Sequence, residues 1–414
     1  MSLFSEFRLK EVTLRNRIAV PPMCQYSAEQ GLINDWHRVH YAALARGGAS
    51  LVIVEATAVS PEGRITPGCL GLWNDAQAEG LAQVAQAIKA AGAVPGIQIG
   101  HAGRKASANK PWEGDDHIAA DDGRGWETIS PSAVAFGNNL PQVPRAMTLD
   151  DIARVRNDFV QAAIRARDAG YEWLELHFAH GYLAQSFFSV HANQRTDQYG
   201  GDAAGRSRFL RETFDAVREV WPENLPLTAR FGVLEYDGRD EETLAEAIDL
   251  TRYWRANGLD LLSVSVGFSP EGSAVALVLD VIDRAQTEIR LAGYSFTSPE
   301  VASALIRAKA RGVNVRVVLD EKANQNRISQ SAINLLSARD IPVRLNGQYA
   351  ALHDKFIVAD GRMVETGSFN YTRSGARHNS ENALVIGDMP ALADRYLRHW
   401  QSRWDAGTAY RLSY

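Results

Sequence analysis

Cysteine is scarce: Cys24 and Cys69 are the only two in 414 residues. They cannot form a disulfide framework, so a disulfide-stapled secreted scaffold is excluded and a reducing compartment fits. Long apolar runs are missing too. No segment approaches the roughly 18 consecutive apolar residues that a membrane-spanning helix needs, so no membrane association is expected. Met1–Glu11 lacks the basic-then-apolar pattern of a secretory leader, which predicts a cytoplasmic protein. No strong charge of one sign is present, the net charge being −5. That figure hides an asymmetry: residues 269–414 carry 18 Lys+Arg against 15 Asp+Glu, and the residues before them 26 against 34. A slightly basic module is compatible with a polyanionic substrate without arguing for one by itself. There is also no Gly/Ser- or Pro-rich linker, although the length favours two domains.

Residues 1–268 alternate strand and helix. Strands are predicted at Arg17–Pro21, Ser50–Thr57, Val94–Gly100, Trp173–Ala179, Leu227–Phe231 and Leu261–Phe268. Amphipathic helices fall between most of them, such as Leu149–Ala169 and Glu241–Ala256, the latter closed by Asn257-Gly258. Apolar β-branched strands spaced by helices indicate a parallel sheet covered by helices. Polar residues gather just after strand ends: Met23, Cys24, Gln25 and Tyr26; Gln98 and His101; His177, His180 and Tyr182; Arg230. In a (β/α)8 barrel that is the catalytic face. Taken alone, His177-x-x-His180 reads as a packed histidine pair or a metal-binding fragment, and Cys24 as a buried hydrophobe.

The strings RNRIAVPPMCQYSA, GLINDWHRVHYAALARGGASLVIVEATAV, GIQIGHAGRKA, LHFAHGYLAQSFFS, the YGG at Tyr199–Gly201 and LTARFGV resemble the Old Yellow Enzyme family, in its thermophilic-like or xenobiotic-reductase branch. The resemblance implies a TIM barrel using FMN to pass hydride from NAD(P)H to activated alkenes and nitro compounds. It also implies that Pro22, Met23, Cys24, Ala56, Gln98 and Arg230 contact the flavin. His177 and His180 would hydrogen-bond the substrate's electron-withdrawing oxygen, and Tyr182 would donate the proton. One departure is local: the family usually places Asn before the first Arg of its R-x-R-F segment, and Gly205 stands there in this chain. A larger one is that the barrel stops at six strands after Phe268, without the two βα units whose loops grip the flavin phosphate. An incomplete barrel with two unpaired edges and weak FMN binding is therefore expected.

A different chemistry is written at His353–Asn370, HDKFIVADGRMVETGSFN. Its fixed positions are His353-x-Lys355, Asp360, and Gly367-Ser368-x-Asn370. A neutral imidazole can attack phosphorus, while a lysine and a side-chain amide can neutralise and hold two non-bridging oxygens. The alternation in LHDKFIVAD predicts a strand carrying His353 and Lys355 on one face. These positions resemble the HxKxxxxD and GSxN signature of the phospholipase D superfamily, with the closest likeness to its small bacterial endonuclease branch over about residues 269–414. The resemblance implies His353 as the nucleophile forming a phosphohistidine. Lys355, Ser368 and Asn370 would bind phosphate, Asp360 would support the site, and Glu381 would orient the imidazole, with no metal or other cofactor. Only one copy of the motif is present. Leaving-group protonation and water activation still need an acid and a base, so a homodimer pairing two His353 side chains across one site is expected, acting on nucleic acid or another phosphodiester. The alternative is a monomer that uses another acid such as His378.

The second module supplies its own elements: strands at Glu288–Phe296, Asn314–Asp320, Pro342–Leu345, His353–Asp360, Met363–Phe369 and Glu381–Ile386. Ser298-Pro299-Glu300 starts a helix and Gly312 stops it. Leu392, Tyr396, Trp400 and Trp404 form a stripe at helical spacing, read as core or dimer packing. At the junction, SVSVGFSPEGS resembles both parents at once. The predicted architecture is thus an α/β chimera, a truncated barrel over 1–268 joined to a phospholipase D-like α/β sandwich over 269–414. Three functions follow from it: a metal-independent phosphodiesterase, an FMN ene-reductase, or an inactive mosaic.

Overall fold

The structure, a computed structural model, describes residues 3–114, 116–119, 121–137, 140–235, 239–265, 268–269, 273–377, 381–387 and 389–411. The chain divides into two compact units, Met1–Glu235 with Arg239–Ser265, and Tyr236–Gly238 with Val266–Tyr414.

The first unit opens with an antiparallel hairpin, β1 (Phe7–Leu9) and β2 (Val12–Leu14). Its main sheet runs β3 (Ala19–Val20), β4 (Leu51–Ala58), β5 (Val94–Gly100), then, after a small pair β6 (Ile129–Ser130) and β7 (Arg145–Ala146), β8 (Trp173–Phe178), β9 (Leu227–Gly232) and β10 (Leu261–Ser265). All pairings in the six-stranded sheet are parallel and follow chain order, from β3 at one edge to β10 at the other. The intervening helices are α1 (Asp35–Arg46), α2 (Asp75–Ala90), α3 (Leu149–Asp168), α4 (Leu183–Phe188), α5 (Ala203–Val220) and α6 (Asp240–Ala256). Their starts are written locally. Asn34, Asn74 and Thr148 each cap a helix with a reciprocal capping box, and Asp202 caps α5 through Gly205 N–H.

This is six-eighths of a TIM barrel, as the strand pattern predicted. In a closed barrel the interior is filled by layers of side chains. Here the open side leaves a cavity of about 370 Å³, lined among others by Pro22, Leu51, Ile53, Trp173, Arg230 and Leu261. Gly205 has a local cause: a Cβ there would come within 2.0 Å of the Gly200 carbonyl oxygen. The YGG turn closes onto the helix start at that point. The following Arg206 is buried, bonded to Phe188 O at 3.1 Å, to Gly201 O at 2.6 Å and to Glu246 at 2.5 Å.

The second unit is a mixed eight-stranded sheet. Its strands are β11 (Phe268–Ser269), β12 (Glu288–Gly293), β13 (Asn314–Asp320), β14 (Val343–Asn346), β15 (Lys355–Ala359), β16 (Met363–Gly367), β17 (Glu381–Ile386) and β18 (Thr408–Ala409). They lie in the order β11-β17-β16-β15-β12-β13-β14-β18. Strand alternation sorts the core in two. Ile289, Leu291, Val317, Leu319 and Ile357 pack with α7 (Ser273–Arg284), α8 (Pro299–Ala310) and α9 (Arg327–Ser337). Ala292, Val318, Phe356, Val358 and Val364 pack with α11 (Pro390–Asp405) on the other face. A one-turn helix, α10 (Arg373–Arg377), follows β16. The aromatic stripe is core: Trp400 and Trp404 are 1% and 8% exposed and stack at 4.9 Å.

Candidate active sites

In the first unit, polar groups converge at the C-terminal ends of the strands. The register of β4 against β5 shifts between Val54 and Thr57, a bulge that re-aims Glu55 and Ala56. Glu55 is fully buried; its carboxylate accepts the Gln25 N–H at 2.8 Å and the Tyr41 hydroxyl at 3.0 Å. Those bonds tie the segment carrying Pro22, Met23 and Cys24 to the strand end. Burial pushes the Glu55 carboxyl up to about 7. Burial, then the nearby Cys69 and Glu55, push the Cys24 thiol up despite hydrogen bonds from Tyr26 and the Ala56 main chain. Cys24 is therefore a thiol rather than a thiolate at neutral pH.

Gln98 at the end of β5 donates to Glu175 Oε1 at 2.7 Å. Glu175 is buried in β8, and its carboxyl is raised by burial against the opposing charge of Arg230 on β9. At the C-terminal end of β8, the His177 ring lies 4.7 Å from His180 and 4.9 Å from Tyr182. His177 Nδ1 accepts the Ala179 N–H at 3.3 Å, which puts the ring proton on Nε2. Burial above all, then the cationic Arg230 and Lys105, push His177 down; His180 is lowered by burial, His177, Arg230 and Lys105. Both imidazoles are neutral at pH 7 and can donate to an electron-withdrawing oxygen. His180 holds φ +64°, a left-handed conformation uncommon outside glycine. Lys105 Nζ braces it, donating to His180 O at 3.1 Å and lying 5.4 Å from the Tyr182 ring.

In the second unit, β12 ends at Gly293 opposite Lys355, where β15 begins. His353 precedes that strand and is exposed; Lys355 is buried. Their side chains meet at one aromatic ring. Tyr294 lies 4.7 Å from the His353 imidazole and 5.2 Å from Lys355 Nζ, and Nζ donates to His353 O at 2.9 Å. After β16, Ser368 is exposed and Asn370 half-buried, with Asn370 Oδ1 buried and without a hydrogen-bond partner among the described residues. Glu365 in β16 is fully buried against the Tyr371 hydroxyl at 2.8 Å.

Residues 2–267 match the model of the NADH:flavin oxidoreductase / NADH oxidase family. An NADPH dehydrogenase from Bacillus velezensis is 40% identical over 267 residues, covering 64% of this chain and 73% of that protein. The chain belongs to the NADH:flavin oxidoreductase / NADH oxidase family. A solved morphinone reductase is 26% identical with a TM-score of 0.56, covering 82% of this chain and 84% of that one. Residues 278–404 match a second model, cardiolipin synthase, PLD-like domain. A phospholipase D family member, Nuc from Salmonella typhimurium, is 50% identical over 36% of this chain and 97% of its own, with a TM-score of 0.35. The chain is thus a two-part chimera, an Old Yellow Enzyme-like region followed by a PLD-like domain.

In the flavin-oxidoreductase region, Cys24, Ala56, Gln98, Arg230, His177, His180 and Tyr182 come together at one end of the sheet. Pro22 lines the barrel cavity beside Arg230, and Met23 is exposed. In the PLD-like domain, His353 and Lys355 come together, with Ser368 and Asn370 just past the end of the strand next to β15. Asp360 lies elsewhere. It sits at the far end of β15, about 16 Å from Lys355 at the usual rise per residue. Its carboxylate accepts N–H groups of Gln286, Thr287 and Glu288 at 2.7–3.1 Å and the Thr287 hydroxyl at 2.8 Å. Asp360 therefore closes the turn into β12. The Glu381 backbone opens β17, but its side chain lies outside the described residues, as does His378. Sequence reasoning missed Glu175, Lys105 and Tyr294. A lone charge inside an apolar strand, as in WLELHF, is the signal that could have found the first. No described helix is long and apolar enough to cross a membrane.

Proposed function

We propose that the PLD-like domain is a metal-independent phosphodiesterase acting on nucleic acid or a related phosphodiester. The observation that carries this reading is the meeting of the His353 imidazole and the Lys355 ammonium at the Tyr294 ring. The imidazole attacks phosphorus, a P–N bond forms, and the P–O bond to the leaving alkoxide breaks. Lys355, Ser368 and Asn370 hold the non-bridging oxygens as charge builds. A second histidine protonates the alkoxide and then takes a proton from the water that cleaves the P–N bond, releasing the phosphomonoester and restoring His353. The His353 of a second copy is the group proposed for that role. No base-reading motif is written in the sequence, which suits weak sequence preference. Cleavage of a generic phosphodiester should survive chelator and be abolished in His353→Ala, with a phosphohistidine trapped by rapid acid-free quench. Activity lost to chelator and restored by magnesium refutes the mechanism.

A second reading, impaired FMN-dependent reduction, is favoured by the neutral His177–His180 pair beside Tyr182. A bound flavin would supply hydride chemistry there, with Pro22, Met23, Cys24, Ala56, Gln98 and Arg230 facing its ring. The ring end fits. Among the described residues the parallel sheet ends at β10, so no seventh or eighth strand offers a phosphate cradle. The proposal is therefore weak flavin binding and negligible NAD(P)H-dependent turnover.

A further inference from the structure

His353 precedes the first ladder residue of β15, so the sheet does not fix it; something else must. Two buried side chains on one turn do so. Asp320, the last residue of β13, is 2% exposed, and its Oδ2 accepts the N–H of Leu352, the residue before His353, at 2.7 Å. Its other oxygen accepts the Ala323 N–H at 2.7 Å. Asn324, 1% exposed, donates from Nδ2 to Tyr294 O at 2.7 Å and to Asp320 O at 2.7 Å, while its Oδ1 accepts the Phe296 N–H at 2.9 Å. One turn thus holds the main chain on both sides of the contact between the Tyr294 ring and the His353 imidazole.

We propose that Asp320 and Asn324 are positioning residues that set the His353 imidazole against Tyr294, and that the Tyr294 ring fixes the rotamer from which the imidazole attacks. This rests on the phosphodiesterase reading above. The chemistry suits the residue types. A carboxylate accepts two main-chain N–H groups at once, and the amide of Asn324 matches one donor and one acceptor on the neighbouring loop. The ring stands 4.7 Å from the imidazole with its plane tilted by 55°, so it packs against His353 and limits its rotation. A misaimed nucleophile loses rate rather than affinity, because a small displacement from the attack geometry acts on the chemical step.

The test uses the full chain and bis(p-nitrophenyl) phosphate, with Asp320→Asn, Asn324→Ala, Tyr294→Leu and Tyr294→Phe. Asp320→Asn changes volume little but leaves an amide N–H facing one of the two main-chain N–H groups, Leu352 or Ala323, that the carboxylate accepts. The expected result is a fall in kcat of about 10- to 100-fold for Asp320→Asn, Asn324→Ala and Tyr294→Leu, with KM within about threefold. Tyr294→Phe, which keeps the ring, should recover most of what Tyr294→Leu loses. In proton–carbon spectra of histidine-labelled protein, the His353 ring signals, assigned by their loss in His353→Ala, should lose their upfield ring-current shift in Tyr294→Leu. Tyr294 is partly exposed, so that variant tests the idea even if the Asp320 and Asn324 variants do not fold. Wild-type kcat and an unmoved His353 signal in Tyr294→Leu overturn the proposal while leaving the phosphodiesterase reading intact if His353→Ala is dead. Full activity in His353→Ala overturns the reading itself.

Discussion

Replacing Glu365 by glutamine should change how the stability of the PLD-like domain depends on pH. Glu365 is fully buried, accepts the Tyr371 hydroxyl at 2.8 Å, and leaves Oε1 without a partner among the described residues. Burial pushes its carboxyl from 4.5 up to about 8, against the opposing effect of the Tyr371 bond. At neutral pH the folded domain therefore holds a proton that the unfolded chain has released. A folded value above the unfolded one gives stability that is fully present below about pH 4.5 and is lost as pH rises toward about 8. Within that window the loss is about 1.4 kcal/mol per pH unit, on the order of 3 kcal/mol by pH 7. Glu365→Gln removes the titration and keeps an acceptor for Tyr371. It also places an amide donor where Oε1 has no partner, at a cost of about 1–3 kcal/mol. The variant should be the less stable protein at pH 5 and equal or superior at pH 8. Amide exchange of the β15 and β16 peptides, corrected for the intrinsic chemical rate, reads this domain separately from the barrel. Parallel pH dependence in the two proteins would show that Glu365 does not titrate in this window, and the burial argument would fail.

Further outcomes are expected elsewhere. Purified protein should carry little yellow flavin absorbance and reduce cyclohexenone negligibly, since among the described residues the sheet stops at β10, before the strands whose loops would supply phosphate contacts of about 1.5–3 kcal/mol each; stoichiometric FMN with turnover refutes this. Mixing His353→Ala chains with wild type should lower activity more than dilution does, whereas a strictly monomeric species with full specific activity contradicts the shared site. Gly205→Ala should destabilise the barrel unit by about 1–3 kcal/mol, because its Cβ would sit 2.0 Å from the Gly200 carbonyl oxygen; an unchanged melting transition argues that the YGG turn can move.

Strand positions were legible wherever burial on both faces made a mostly apolar run broken by only one or two polar residues, as in β4, β5 and β8. Ends were less so. LHDKFIVAD alternates from Leu352 onward, yet β15 starts only at Lys355, because its neighbour β12 stops at Gly293 and Asp320 takes the Leu352 N–H. Alternation reports which face a residue prefers; it does not report where the neighbouring strand stops. Likewise the spacing of Asp360 was visible and its place was not: five residues along an extended strand carry it to the opposite end of the sheet. Glu365, Asp320 and Glu175 escaped notice because a single acid in an apolar run carries no periodic signal. Each becomes interpretable only when its hydrogen-bond partner, distant in sequence, is known.

The six-stranded parallel sheet has two edges that differ in kind, a two-residue edge at β3 and a five-residue edge at β10 where Leu261 and Val264 are 38% and 45% exposed. Parallel pairing between copies would join the β10 edge of one molecule to the β3 edge of the next, a head-to-tail contact rather than a self-complementary one. Such contacts do not stop at two; unless the rotation closes a ring, each addition regenerates both free ends. Whatever association the PLD-like domain prefers, pairing of this kind would be a second, open-ended mode, growing with concentration and kept weak by the short β3 edge.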